Sequence, residues 1–134
     1  MRRVFADAFF YLALLDPHDS AHETACVACS DGTIEGYVTT PWVLMEVANM
    51  LAGSRARMRC AIFLRELRGS HSTRIIPATD ELFERGLALY ENRADKAWSL
   101  TDCISFLVMG DEGLTEALTG DRHFEQAGFV ALLA

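Results

Sequence analysis

Gly36-Tyr37-Val38-Thr39-Thr40-Pro41-Trp42-Val43-Leu44-Met45-Glu46 carries a strand directly into a helix. Gly36–Thr39 reads as a short strand. Thr40 offers an N-cap hydroxyl, and Pro41 takes the first helical position, where a missing N–H costs nothing. The helix then runs through Glu46 to about Leu51, and Gly53-Ser54 stops it.

Working outward, the same alternation recurs. Arg2–Ala6 reads as a strand ending at Asp7, and Phe9–Leu15 as a buried helix stopped by Asp16-Pro17. Asp19 or Ser20 can cap a second helix reaching about Ser30, with a turn at Asp31-Gly32. Downstream lie an amphipathic helix over Arg55–Arg68, with Ile62, Phe63 and Leu67 expected to face inward, and a strand at Arg74–Pro77. Thr79 caps a helix through about Tyr90. Ser99-Leu100-Thr101-Asp102 forms a capping box with Asp in place of Glu, opening a helix through Met109. Leu114–Thr119 is a candidate strand, Asp121–Gln126 a short helix and Phe129–Leu133 a last strand. The order β-α-α-β-α-α-β-α-α-β-α-β predicts an α/β protein with a mainly parallel sheet covered by helices on both faces. In such sheets, ligands bind outside the carboxyl ends of the strands.

Composition sets the outer limits. The chain has 134 residues, 51% apolar and 10% aromatic, with no repeat, linker or composition break, so one domain spanning 1–134 is expected. That apolar fraction argues against disorder. No apolar run approaches the ~20 residues that cross a bilayer. The apolar stretch after Arg2 and Arg3 is interrupted by Asp7, which argues against a signal peptide. Four cysteines are too few for a disulfide scaffold and fit a reducing cytoplasm. The net charge is −7, from 19 Asp and Glu against 12 Lys and Arg, of which only Lys96 is lysine. An evenly spread acidic surface would repel nucleic acid. A cluster of carboxylates that gathers divalent metal would not.

Four acids fall where the topology puts a ligand site. Asp7 ends the first strand, Asp121 follows the strand at Leu114–Thr119, Glu46 sits two turns into the helix after the second strand, and Asp102 lies in the first turn of its helix. Four carboxylates share a small site in ionised form only if cations neutralise them. Carboxylate and water oxygens suit hard divalent ions, and two such ions about 3.5–4 Å apart serve in-line displacement at phosphorus. Each acid also has an ordinary alternative: Asp102 as a helix cap, Asp7 and Asp121 as turn residues. The apolar neighbours of Glu46 turn it toward a crevice rather than open water.

These stretches are also recognisable. Trp98-Ser99-Leu100-Thr101-Asp102-Cys103-Ile104-Ser105-Phe106 and Leu118-Thr119-Gly120-Asp121-Arg122-His123-Phe124, followed by Ala127-Gly128-Phe129, resemble the central and last motifs of the PIN-domain ribonucleases, in their VapC-like branch. Val4-Phe5-Ala6-Asp7, Asp16–His22 and Thr40–Glu46 resemble the family's opening strand, its loop into the second helix and its Thr-x-Glu region, so the resemblance covers nearly the whole chain. It implies a three-layer α/β/α sandwich with a four- or five-stranded parallel sheet. It implies a pocket of Asp7, Glu46, Asp102 and Asp121 that binds one or two Mg²⁺ or Mn²⁺ ions and cleaves RNA. It further implies a toxin's partners: an antitoxin and a second copy in a homodimer. One departure stands out, since the small hydroxyl residue that often follows the first aspartate is here Ala8.

Around these acids the supporting cast is less specific. Thr119 can hold a ligand from behind or simply end its strand, and Asp95 is either a fifth acid at the pocket mouth or a solvated loop residue. Arg122, Arg55 and Arg59 are candidates to meet RNA phosphate, within a helix also carrying Arg57, Arg65 and Arg68; the competing reading is a solvated face with Glu66 as partner. Cys26-Val27-Ala28-Cys29 reads as small core residues, His18 and His22 as ordinary loop and helix-start residues, and His123 as packing beside Phe124. Phe9, Phe10, Tyr11, Trp42 and Trp98 read mostly as core. The competing function is a PIN-like module that binds RNA or protein without cutting it. A haloacid-dehalogenase-like phosphatase also opens with strand-Asp but needs a second Asp two residues on, where this chain has Phe9.

Overall fold

The computed structural model describes all 134 residues, Met1–Ala134. Its elements follow the order β1 (Arg2–Ala6), α1 (Ala8–Leu15), α2 (His22–Cys29), β2 (Ile34–Thr39), α3 (Pro41–Met50), α4 (Arg57–Arg68), β3 (Thr73–Ile75), α5 (Asp80–Asn92), α6 (Leu100–Glu112), β4 (Glu116–Leu118), α7 (Arg122–Gln126) and β5 (Val130–Ala131). All five strands join one sheet in the order β3-β2-β1-β4-β5, and every neighbouring pair is parallel. This is the expected α/β architecture. β1 is the central strand, with Val4, Phe5 and Ala6 inaccessible to solvent, as a strand covered on both faces should be.

Chain order reverses at β1. From it the chain steps to β2 and β3 on one side, then returns to β4 and β5 on the other. The carboxyl ends of β1 and β4 therefore flank a topological switch point, the crevice where open α/β sheets take ligands. Phe5 and Ala6 pair with Ala117 and Leu118, and the Asp7 N–H donates to the Leu118 carbonyl at 3.3 Å. That register sets Asp7 beside the segment Thr119–Asp121.

Several boundaries move, each for a local reason. α2 starts at His22, not near Asp19, because the Asp19 carboxylate accepts the Ala21 N–H at 2.8 Å and closes a turn there. α4 starts at Arg57, after Ser54 has capped a separate turn through the Ala56 N–H. α6 runs one turn further than Met109 and stops at Gly113, which adopts the left-handed conformation with φ +68°. Ile62 does not face inward; it is 57% exposed on α4. Close approach of α5 to α6 depends on Gly86, where a Cβ would lie 2.4 Å from Ile104 Cγ1. Phe10, Tyr11 and Trp98 are buried in the core, whereas Phe9 and Trp42 are half-buried. No helix is long and apolar enough to cross a membrane.

Candidate active site

Asp7 leaves β1 and becomes the residue that precedes α1. It is buried, and its Oδ2 accepts the Thr119 hydroxyl at 2.8 Å. Thr119 is itself fully buried, and its Oγ1 accepts the Asp121 N–H at 3.0 Å. One hydroxyl thus braces both strand-end acids. Asp121 caps α7, its Oδ1 accepting the His123 N–H at 2.9 Å. Gly120 between them lets the Phe9 ring pack close, since a Cβ there would sit 2.5 Å from Phe9 Cζ and the ring would have to shift.

Asp102 arrives from α6. The predicted capping box forms: Asp102 Oδ2 accepts the Ser99 N–H at 3.1 Å, while the Asp102 N–H donates to Ser99 Oγ at 3.0 Å. Capping and clustering coincide here, since the same Oδ2 lies 3.1 Å from His123 Nδ1, which is also 3.4 Å from Asp121 Oδ1. Asp102, Asp121 and His123 each offer a ligand atom within 4.8 Å of the other two. The packing role read for His123 is therefore corrected: its ring joins the acidic group while Phe124 alone fills the core. The signal available in the sequence was the spacing Asp121-x-His123 at a helix start, which puts a backbone-capping acid and an imidazole on one side.

Asp7 and Glu46 stand outside that three-residue group but feel the charges of its acids. Burial pushes the Asp7 carboxyl up to about 7, against the Thr119 hydrogen bond, with the charges of Asp102 and Glu46 adding to the rise. Burial also raises Asp102, with Asp121 adding to the rise while Ser99 and His123 oppose it. Glu46 is raised by desolvation, then by Asp102 and Asp121. Its side chain is exposed, so it stands at the rim of the crevice and not inside it. An oxygen-rich donor set whose members disfavour one another's charge is chemistry a hard divalent cation satisfies.

The remaining candidates lie elsewhere. Asp95 is exposed, and its carboxylate takes Arg93 through two hydrogen bonds at 3.0 and 3.1 Å; no hydrogen bond ties it to Asp7, Asp102 or Asp121. Arg59 donates to the Leu15 carbonyl at 2.6 Å, closing the end of α1. Arg55 precedes α4 and, like Arg122, is exposed and forms no salt bridge. Arg2 pairs with Asp31 and Glu116, Arg3 and Arg74 share Glu112, and Arg85 pairs with Asp111.

No family model matches the chain. Over 129 residues it is 30% identical to the 23S rRNA-specific endonuclease VapC20 of Mycobacterium tuberculosis, in the sequences of two strains, covering 95% of each chain. Its fold is similar to the crystal structure of Mycobacterium tuberculosis VapC20, a sarcin-ricin loop cleaving toxin, with a TM-score of 0.86 and 28% identity over 95% of this chain and 96% of that one. With the parallel sheet, the acids at its switch point and this full-length likeness, the chain belongs to the VapC-like branch of the PIN-domain ribonuclease family.

Proposed function

We propose that the chain is a Mg²⁺- or Mn²⁺-dependent endoribonuclease acting as the toxin of a toxin–antitoxin pair, with Asp7, Glu46, Asp102 and Asp121 as its metal-holding and catalytic residues. The observation that carries the reading is the meeting of Asp7, Asp102 and Asp121 at the switch point, through Thr119 and His123, on the fold of a 23S rRNA endonuclease. When bound, a divalent ion supplies Lewis acidity and a water of lowered pKa for hydrolysis of a phosphodiester. Thr119 fixes the Asp7 carboxylate by donating its hydroxyl to Oδ2. Glu46, at the rim, holds metal or orients the incoming water. His123 Nδ1 steadies the two carboxylates it touches. Arg122, exposed beside Asp121, is the cation best set to meet a phosphate of the RNA strand.

The partners of this reading are RNA, a cognate antitoxin and a second copy of the chain. Apolar surface for a protein partner exists: Met45, Met50, Met58 and Ile62 are exposed on α3 and the α4 helix. A cavity of about 780 Å³, which none of the four acids lines, opens between these helices and β3. All four cysteines are free, in keeping with the cytoplasm. The competing reading, a binding module that does not cut, has only Ala8 in its favour.

The test is cleavage of RNA with added Mg²⁺ or Mn²⁺, using a 23S rRNA fragment that contains the sarcin-ricin loop beside an unrelated RNA. Asp7→Asn should abolish cutting and leave the fold intact. Full metal-dependent activity in Asp7→Asn refutes the assignment of these acids.

A further inference from the structure

The thiols of α2 take no part in the acidic crevice, and they are not the core residues their small size suggests. Cys26 and Cys29 are both exposed, whereas Cys60 and Cys103 are buried. His22 opens the helix. Its Nδ1 lies 2.7 Å from the Ala13 carbonyl oxygen, which can only accept, so Nδ1 carries the proton and Nε2 keeps its lone pair. That lone pair meets Cys26 Sγ at 3.5 Å. Cys29 follows one turn on, so the three side chains stand at i, i+4 and i+7 on one stripe of the helix.

The spacing has a chemical meaning. With zinc–nitrogen bonds of about 2.0–2.1 Å and zinc–sulfur bonds of about 2.3 Å in a tetrahedron, ligand N and S atoms lie about 3.5 Å apart. Imidazoles that bind metal characteristically donate their second ring N–H to a carbonyl or carboxylate, as His22 does to Ala13. Two thiols with an imidazole suit a thiophilic ion and not the hard ions that suit Asp7 and Asp102.

We propose that His22, Cys26 and Cys29 form a second metal site, for Zn²⁺, with a fourth position open to solvent or another ligand. His22 and Cys26 already stand at ligand spacing, whereas the Cys29 thiol lies outside ligand distance of the pair and would have to change rotamer to become the third donor. The site would add a brace to a short helix that packs on the core through Ala25 and Ala28. α2 has eight residues, Ala25 is its one buried side chain, and its N-cap, Ala21, makes no side-chain bond. Helices this short are marginal on their own. The three donors occupy the first, fifth and last residues, so one ion would tie the whole helix together.

The experiment uses the full chain and Zn²⁺ alone, reading alkylation of each cysteine by iodoacetamide through peptide mass spectrometry. One equivalent of Zn²⁺ should slow labelling of both Cys26 and Cys29 by about tenfold or more, and chelation should restore it. Mg²⁺ should give no protection. Protection should persist in Asp102→Asn, which separates this site from the crevice, and disappear in His22→Gln. Co²⁺ added to the unmodified chain should give thiolate-to-metal absorption in the near ultraviolet, a readout that depends on no variant. Lack of protection, protection of one thiol only, protection that survives His22→Gln, or absence of the cobalt band overturns the proposal.

Discussion

Helices α5 and α6 begin with the same local chemistry. Thr79 caps α5 by accepting the Leu82 N–H at 3.1 Å, with Asp80 and Glu81 in the first turn; Ser99 caps α6 in the same way, with Asp102 in the first turn. Both satisfy exposed N–H groups and oppose the helix dipole. Yet Asp80 and Glu81 face solvent, while Asp102 is buried against His123 and close to Asp7 and Asp121. The difference lies in placement. α6 starts beside the ends of β1 and β4, where chain order reverses, and α5 follows the edge strand β3. A helix start becomes a candidate site when the sheet brings other acids to it.

The largest contrast should appear in catalysis. Asp102→Asn keeps the size of the side chain but removes a charge from the shared group, and metal-dependent RNA cleavage should fall by at least about 10³-fold, several kcal/mol of lost transition-state stabilisation. Asp80→Asn at the matching helix start should cleave at the parental rate. Circular dichroism should show both variants folded. Equal losses in the two variants would end the distinction between the helices.

Stability should separate the two regions next. Burial raises Asp7 from 3.8 to about 7, so the folded, metal-free chain prefers its neutral carboxyl. A folded-state pKa above the unfolded one contributes stability that is complete below about pH 4 and lost as pH rises through about 7. With chelator present, the chain should therefore be less stable at pH 8 than at pH 5, by on the order of a few kcal/mol from this group. Asp7→Asn should flatten that slope and leave the metal-free fold as stable or more so at pH 8. Thermal melts at both pH values check it. A parental slope retained in Asp7→Asn would mean that other groups set it. Asp95 and Asp111 lie on the opposite side of this contrast, since their ion pairs with Arg93 and Arg85 hold them below the ordinary carboxylate range.

Two hydroxyls offer a finer comparison. Thr119→Val deletes the buried donor to Asp7 and the acceptor of the Asp121 N–H, and should cost about 1–3 kcal/mol. It should also weaken metal-dependent cleavage by about 10–100-fold, since the residues that orient metal-holding groups matter at that level. Thr79→Val removes only a cap, costs about 1 kcal/mol and leaves cleavage unchanged. Should Thr119→Val lose stability alone, Thr119 is a strand end and nothing more.

Most of the architecture was legible because strands and helices announce themselves locally. Thr40-Pro41, Thr79 and Ser99-x-x-Asp102 fix three helix starts by hydrogen bonding within four residues. The acids were legible through topology: a strand that ends in Asp in a parallel sheet delivers that Asp to the crevice. What stayed hidden depends on distant partners. His123 is drawn in by Asp102, twenty-one residues earlier, and no periodicity encodes that meeting. Arg59 resembles the other arginines of its helix until the Leu15 carbonyl claims it. Ile62 and Cys26 read as core because they are apolar or small, but α4 and α2 lie on the outside of the sandwich and leave them in solvent.

The smallest expected effect concerns Asp95, seven residues before Asp102 and a sequence candidate for the mouth of the same pocket. Its carboxylate is exposed and committed to Arg93, whose guanidinium also stacks over Trp98 at 4.8 Å. A pair so open to water is screened, and holding two side chains in one geometry costs entropy that offsets most of the attraction. Asp95→Asn should therefore leave cleavage, metal dependence and melting temperature indistinguishable from the parent. A clear loss of cleavage would show that Asp95 reaches the crevice when RNA is bound, and would extend the site along the loop that leads into α6. Combined with Asp102→Asn, the two substitutions should act independently, with the double variant no worse than Asp102→Asn alone; a loss in the double variant that differs from the sum of the two single losses would mark coupling between the residues.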